Sequence, residues 1–330
     1  MEQRAARNLF SVVFLALTLV SRPAEGKDQL RVGFAGFSAT TEIILLVTQG
    51  AGLFEKNDLK VELISITGAA PATLALNRGE LDIDIRAPVN AISGMLKGLD
   101  FTFIGVVENY LDYAIVTRPE VNGVADLKGK RVGIVRFGGK TDLLVRYLFR
   151  RLGLEAVKDF AILQVGEPTV RVGALQTGAI DATVLPPPQA YGAVKAGLKI
   201  VDVPYAPFFQ GVLITRQAFI KKERPALTRF LKAYVEGIQF FFTRKEETLK
   251  ILSRFLRNTD RGWLEHVHRT HQQHQIGRKP FPDWEAVQTT LDMMAPDEPA
   301  VKKLRAKELF DLSILEELNQ SGFIDALYQR

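Results

Sequence analysis

Hydroxyls, glycines and a few lone cations are the residues of this chain best suited to hold a small molecule. Phe37, Ser38, Thr40 and Thr41 follow an apolar run that ends at Phe34. Thr67 and Gly68 follow a second run, and Arg86, Pro88 and Asn90 a third. Farther on, Phe137, Gly138, Gly139, Lys140 and Thr141 form one cluster, while Glu167 and Pro186 head two more. Hydroxyls and free backbone N–H groups offer hydrogen bonds, a guanidinium fork suits a carboxylate or sulfonate, and phenyl rings cover an apolar body. The same residue types have structural uses. Ser38, Thr40 and Thr67 suit helix N-caps. Gly138-Gly139 lacks a full phosphate-loop pattern and reads as a tight turn. Glu167 either faces a helix dipole or binds a ligand amine. Arg86 ends the strand Leu81–Ile85, where it either meets Asp82, Asp84 or another acid, or grips a ligand anion.

Reactive chemistry is poorly provided for. The chain has no cysteine, hence no disulfide, thiol nucleophile or thiolate metal site. All four histidines fall within nine residues: His266, His268, His271 and His274. The three-residue recurrence of the last three could place imidazoles on one helix face, a transition-metal arrangement. Glu265 is off that face, so a solvated polar face is expected and no metal. No histidine occurs in the candidate loops, so no nucleophile–base pair forms there. Asp82 and Asp84 alternate on one strand and suit ion pairing. The expectation is binding without catalysis and without a cofactor.

The elements that must position these residues are written twice. Leu30-Arg31-Val32-Gly33-Phe34 returns as Lys130-Arg131-Val132-Gly133-Ile134. Ala75-Leu76-Asn77-Arg78-Gly79-Glu80-Leu81-Asp82 returns as Ala174-Leu175-Gln176-Thr177-Gly178-Ala179-Ile180-Asp181, and Gly98-Leu99 as Gly197-Leu198. The offset stays at 99 to 100 residues. Apolar runs predict strands at 30–35, 60–66, 81–86 and 101–107, then at 131–135, 160–165, 181–185 and 199–202. Helices at 40–54, 70–78, 89–97, 140–152, 168–177 and 187–195 alternate with them. That alternation predicts two α/β lobes with mostly parallel sheets. Ligands of such sheets sit beyond the carboxyl ends of the strands, where the loops above gather. Two extended crossings, near 109–116 and 210–215, would form a two-segment hinge. After Gln217 only helices are predicted, at 227–242 behind Pro225 and at 244–257, 260–274, 283–294 and 313–328, packing on lobe one. Lobe one is expected to span 27–112 plus 212–330, and lobe two 113–211.

Residues 1–26 read as a cleaved secretion signal: Arg4 and Arg7, an apolar run of twelve residues from Leu9 to Val20, then Ala24-Glu25-Gly26. The net charge is +6; losing 1–26 removes three Arg and two Glu and leaves +5. The charges are mixed, with no nucleic-acid-binding arm, and a weak preference for anions is permitted.

With these segments in hand, the chain resembles a periplasmic solute-binding protein of an ABC importer, in the nitrate/sulfonate/taurine (NMT1-like) group. The resemblance rests on Leu30-Arg31-Val32-Gly33, Gly52-Leu53-Phe54 and Leu76-Asn77-Arg78-Gly79-Glu80-Leu81-Asp82. It rests also on Asp126-Leu127-Lys128-Gly129-Lys130-Arg131-Val132-Gly133, Gln176-Thr177-Gly178-Ala179-Ile180-Asp181-Ala182, and Arg224-Pro225 before Phe230-Leu231-Lys232-Ala233-Tyr234. It implies a type II periplasmic binding fold and a monomer that delivers a small ligand to an inner-membrane permease, or reports it to a membrane kinase. The ligand expected is a small organic anion, with Arg86 and Lys140 neutralising it and Phe37 and Phe137 covering its body. Lys140 departs from the serine or threonine common in that loop. An enzyme of thiamine-pyrimidine synthesis shares the fold and uses a cysteine-rich motif that this chain lacks.

Overall fold

The computed structural model describes residues 28–37, 39–111, 113–201 and 206–329, with the side chains of Asp28, Leu111, Ala206, Pro207, His274 and Gln275 left aside. The expected signal at 1–26 and the candidate Ser38 lie outside the described residues. The first unit runs β1 (Asp28–Phe34), α1 (Ile43–Gly50), α2 (Leu53–Lys56), β2 (Leu59–Ser65), α3 (Ala69–Arg78), β3 (Ile83–Arg86), α4 (Val89–Leu96) and β4 (Phe101–Leu111). The second runs β5 (Ala114–Thr117), β6 (Arg131–Ile134), α5 (Lys140–Arg151), β7 (Ala161–Gln164), α6 (Pro168–Gln176), β8 (Ala182–Leu185), α7 (Pro187–Lys195) and β9 (Lys199–Val201). The chain then returns in β10 (Ala206–Arg216) and ends in α8 (Gln217–Thr243), α9 (Lys245–Leu256), α10 (Arg261–Thr270), α11 (Trp284–Met294), α12 (Ser313–Gln320) and α13 (Phe323–Ala326).

The two sheets have one topology. Their strand orders are β2-β1-β3-β10-β4 and β7-β6-β8-β5-β9. The first three strands of each are parallel, and the fourth and fifth are antiparallel to their neighbours. The fourth strand of each sheet is a crossing strand: β5 carries the chain into the second sheet, and β10 brings it back to the first. Residues 206–211, expected in lobe two, thus run in β10 of the first sheet, Pro207 opposite Tyr110 and Gly211 opposite Glu108. The reason is ladder pairing: β4 and β10 are both eleven residues long and satisfy each other's backbone groups beyond the point where β3 ends.

The repeated residues are the struts of this frame. Arg31 binds Asp82 through Nη2 (2.9 Å), Nε (3.2 Å) and its own backbone N–H (2.8 Å), and Nη2 donates to the Gly79 carbonyl at 2.7 Å. Arg131 does the same to Asp181 (3.1, 3.0 and 2.9 Å) and to the Gly178 carbonyl at 2.7 Å. Each set locks the first strand, the third strand and the C-terminus of the helix between them. Gly79 and Gly178 both sit at φ 74°, the left-handed cap conformation that glycine adopts without strain.

Helix boundaries shift for local reasons. The expected 40–54 helix divides into α1 and α2 at Gly52, φ 68°. The 313–328 helix divides at Gly322, φ 75°. Within α8, Glu223 is non-helical, two residues ahead of Pro225, so a short entry helix precedes the expected one. The apolar stripe Leu227, Phe230, Leu231, Tyr234, Ile238 and Phe241 is buried against α1 and α2. No described helix is long and apolar enough to cross a membrane.

A second bridge joins the lobes away from the crossings. Trp263 Nε1–H of α10 donates to the Pro188 carbonyl of α7 at 3.1 Å, Tyr191 stacks on His266 with centroids 4.7 Å apart, and Lys195 pairs with Asp260 at 3.4 Å.

Candidate functional site

Between the sheets lies a cleft of about 500 Å³, lined from both lobes. The loops after β1, β2 and β3 face those after β6, β7 and β8, and the N-termini of α3 to α7 open toward the space. Phe37, Thr40, Thr67, Gly68, Arg86 and Asn90 line it from the first lobe, and Gly139, Lys140, Thr141, Glu167 and Pro186 from the second. Pro88, Phe137, Gly138 and Thr41 are not among the lining residues. Thr41 is buried, and its methyl packs where a Cβ on Gly211 would stand. Pro88 is the buried N-cap of α4. Phe137 is 54% exposed beside the cleft, and the Gly138 N–H is spent on Asp142 Oδ2 at 2.9 Å. Phe37, also half exposed, packs edge-on against Phe34 at 5.0 Å.

Several candidate hydroxyls serve the frame. Thr141 Oγ1 accepts the Val135 N–H at 2.9 Å, and Thr40 Oγ1 donates to Glu42 Oε2 at 3.0 Å. Arg86 shows the acid-paired alternative of the two weighed from sequence. Its Nε and Nη2 hold Asp84, the latter at 2.8 Å, and Nη1 donates to the Gly68 carbonyl at 3.2 Å. Both side chains are buried, so this cation is already neutralised where it meets the cleft. The i, i+2 spacing on one strand face brings them together.

Cations without a bonded carboxylate lie elsewhere, on Lys140 of the expected loop and on two arginines the loop reading passed over. Arg171, in the first turn of α6, is 1% exposed yet lines the cleft. It donates to the Gly166 carbonyl (3.0 Å), Thr183 Oγ1 (2.7 Å) and the Val184 carbonyl (2.6 Å), and to no carboxylate among the described residues. Burial pulls its pKa down to about 10, so it is still charged at neutral pH. Arg136 reaches across the cleft, Nη2 donating to Asn90 Oδ1 at 3.1 Å. Lys140 lies 4.6 Å from the centre of the Tyr113 ring, and Tyr113 also lines the space. A signal for the arginines was present: at the repeat offset, Arg136 and Arg171 fall on Gly36 and Ala72 of lobe one.

Behind the cleft, Glu108 is fully buried and accepts Gln210 Nε2–H at 2.6 Å. Desolvation raises its pKa, against the opposing pull of Lys140 and of the Gln210 bond. His271 Nε2 stands 3.7 Å from Glu108 Oε1, while its Nδ1–H donates to the Val267 carbonyl at 2.8 Å. The expectation of a solvated histidine face is therefore corrected. His268 and His271 are buried: His268 packs on the Phe241 ring, with centroids 4.6 Å apart, and its Nε2–H donates to the Phe241 carbonyl at 3.0 Å, while His271 opens a turn, residues 271–275, that packs against β4. The His274 side chain lies outside the described residues. Among the described residues no group of three or more His, Asp or Glu is placed to hold a metal ion.

Two like-built α/β lobes, joined by paired crossings and lined at their interface by helix N-termini and by cations with no bonded carboxylate, define a two-lobed fold of the periplasmic-binding-protein type. A family model described as NMT1/THI5 like matches residues 39–248, and the chain belongs to that family. A Bacillus subtilis (strain 168) protein described as aliphatic sulfonates-binding is 24% identical over 324 residues, 94% of this chain and 95% of that one. A Haemophilus influenzae protein described as a thiamine biosynthesis protein is 28% identical over 176 residues, 52% of this chain and 54% of its own length. The crystal structure of the periplasmic aliphatic sulphonate binding protein SsuA from Escherichia coli superposes with TM-score 0.65 at 19% identity, covering 87% of this chain and 91% of that one.

Proposed function

We propose that this chain is the periplasmic substrate-binding component of an ABC importer, exported by the signal in residues 1–26. It captures a small organic anion between its lobes and hands it to an inner-membrane permease as a monomer, without catalysis. The observation that carries this reading is Arg171: a buried cation with no bonded carboxylate, at the wall of a cleft. A buried ion bonded only to neutral acceptors is costly, and an anionic ligand supplies a charged partner. The near full-length match to a sulfonate-binding relative supports the same class of ligand. The two crossing strands, β5 and β10, serve as the hinge, with lobe two as the moving jaw. Binding by Phe37, Thr67, Gly68, Asn90, Gly139, Lys140 and Arg171 is part of this proposal.

A second reading, a binding protein or enzyme for a thiamine-pyrimidine precursor, is favoured by the relative that matches over half of the chain. A thermal-shift screen of the protein from Lys27 onward separates the two. A ligand that binds the folded state raises the melting midpoint with concentration. Carboxylates or sulfonates that shift it support the importer reading. Shifts confined to pyrimidines support the second.

A further inference from the structure

The two lobes repeat one framework but not one charge. Arg136, Lys140 and Arg171 stand in lobe two where the repeat offset places Gly36, Thr40 and Ala72 in lobe one. Ala72 and Arg171 are each the fourth residue of their helix, and both are buried. Lobe two therefore carries a guanidinium where lobe one carries a methyl group. The cation that lobe one does bring to the cleft, Arg86, is cancelled by Asp84.

Among the described residues, none of the three lobe-two cations is ion-paired with a carboxylate. Arg136 donates to a neutral amide, Lys140 rests on a ring, and Arg171 donates to carbonyls and a hydroxyl. One carboxylate lines the space, Glu167, exposed at the start of α6. Glu167 acts on Arg171, while Glu108, whose pKa burial raises, acts on Lys140 from behind the cleft and is not among its lining residues. The cleft thus carries an excess of two positive charges. A singly charged ligand leaves one cation desolvated without a counter-charge, which is costly; a doubly charged ligand removes the excess.

We propose, resting on the anion-receptor reading above, that the natural ligand is a compact organic dianion. Both of its acidic groups lie on lobe two, between Arg171 and the Arg136–Lys140 loop, and its apolar body faces Phe37 and Val89 of lobe one. The polarity of the ligand follows the asymmetry between the repeats.

Calorimetric titration of the protein from Lys27 onward with matched pairs tests this: benzoate against phthalate and terephthalate, and benzenesulfonate against 4-sulfobenzoate. At least one dianion should bind about ten- to a hundredfold tighter than its monoanion, the range of one added charge-assisted hydrogen bond. Arg136→Gln and Lys140→Gln, both at partly exposed positions and so expected to fold, should each shrink that ratio. Equal Kd values within every pair overturn the dianion while leaving the anion receptor standing. A dianion preference untouched by both variants overturns the placement on lobe two. Binding of neutral compounds alone overturns the inference and the reading beneath it.

Discussion

Arg171→Gln is the substitution on which the site assignment turns. Two opposing effects act on the empty protein. Holding the cation in the fold costs about 3 kcal/mol, judged from the drop of its pKa from the ordinary guanidinium range to about 10. Against that, the Gly166 and Val184 carbonyls and Thr183 Oγ1 lose donors, at about 1–3 kcal/mol for each buried acceptor left unpaired. Glutamine keeps one amide donor group, so the net change in stability is expected to be small. Binding has no such compensation. Removing one partner of a desolvated ion pair costs about 2–4 kcal/mol, a rise in Kd of roughly 30- to 800-fold. The sign with pH follows as well. A base with a lowered pKa stays charged until pH reaches the lowered value, so wild-type affinity should hold up to about pH 9 and fall as pH passes about 10. Calorimetry with the anion giving the largest thermal shift reads both effects, alongside melts of the empty proteins. A folded variant that binds the anion as well as wild type does would falsify the assignment.

Three more outcomes follow from neighbouring geometry. Arg86→Gln strands the buried Asp84 carboxylate and should destabilise the fold by about 3–5 kcal/mol in urea melts, with Asp84→Asn in the same chain restoring much of it; unchanged stability refutes the pairing. Glu108 binds its proton more tightly folded than unfolded, so the folded state is penalised increasingly as pH rises above its unfolded value near 4.5. Glu108→Gln should therefore gain stability over wild type as pH rises above about 4.5, and a gap that stays constant across the titration contradicts the raised pKa. Gly237→Ala places a Cβ 2.0 Å from Thr48 Oγ1, where α8 crosses α1, and should cost about 1–3 kcal/mol in the same melts; a rise in Tm there, the helix-propensity effect alone, refutes the close contact.

How much of this was legible in the sequence depended on whether the information was local or shared. The Arg31–Asp82 and Arg131–Asp181 struts were visible as a repeat, because each lobe needs the same lock between its first strand, third strand and intervening helix. Strand and helix periods likewise carried most element positions. The cleft loops were readable from the rule that sheets bind ligands at carboxyl ends. Side-chain partners were not. Arg86 and Asp84 share a strand face, but sequence alone leaves open whether the guanidinium turns to the acid or to a ligand. Arg136 and Arg171 escaped because attention to matching positions, such as Phe37 with Phe137, selects framework, whereas the charges sit where the repeats diverge. Phe137 lies beside the cleft although Phe37 lines it. The histidines were misread because polarity suggested solvent, while carbonyls of α8 and α10 satisfy His268 and His271 in the core. The return crossing was placed late, since β10 extends past β3 along β4 and only the ladder reveals it.

The central claim is that lobe two's buried arginine meets the ligand's negative charge. A crystal structure of the protein with its tightest-binding anion tests it most directly. An acidic oxygen within about 3 Å of the Arg171 guanidinium, with Arg86 still on Asp84, is the predicted result. An anion held by Arg86 after release from Asp84, with Arg171 untouched, or one bound outside the interlobe cleft, would contradict it.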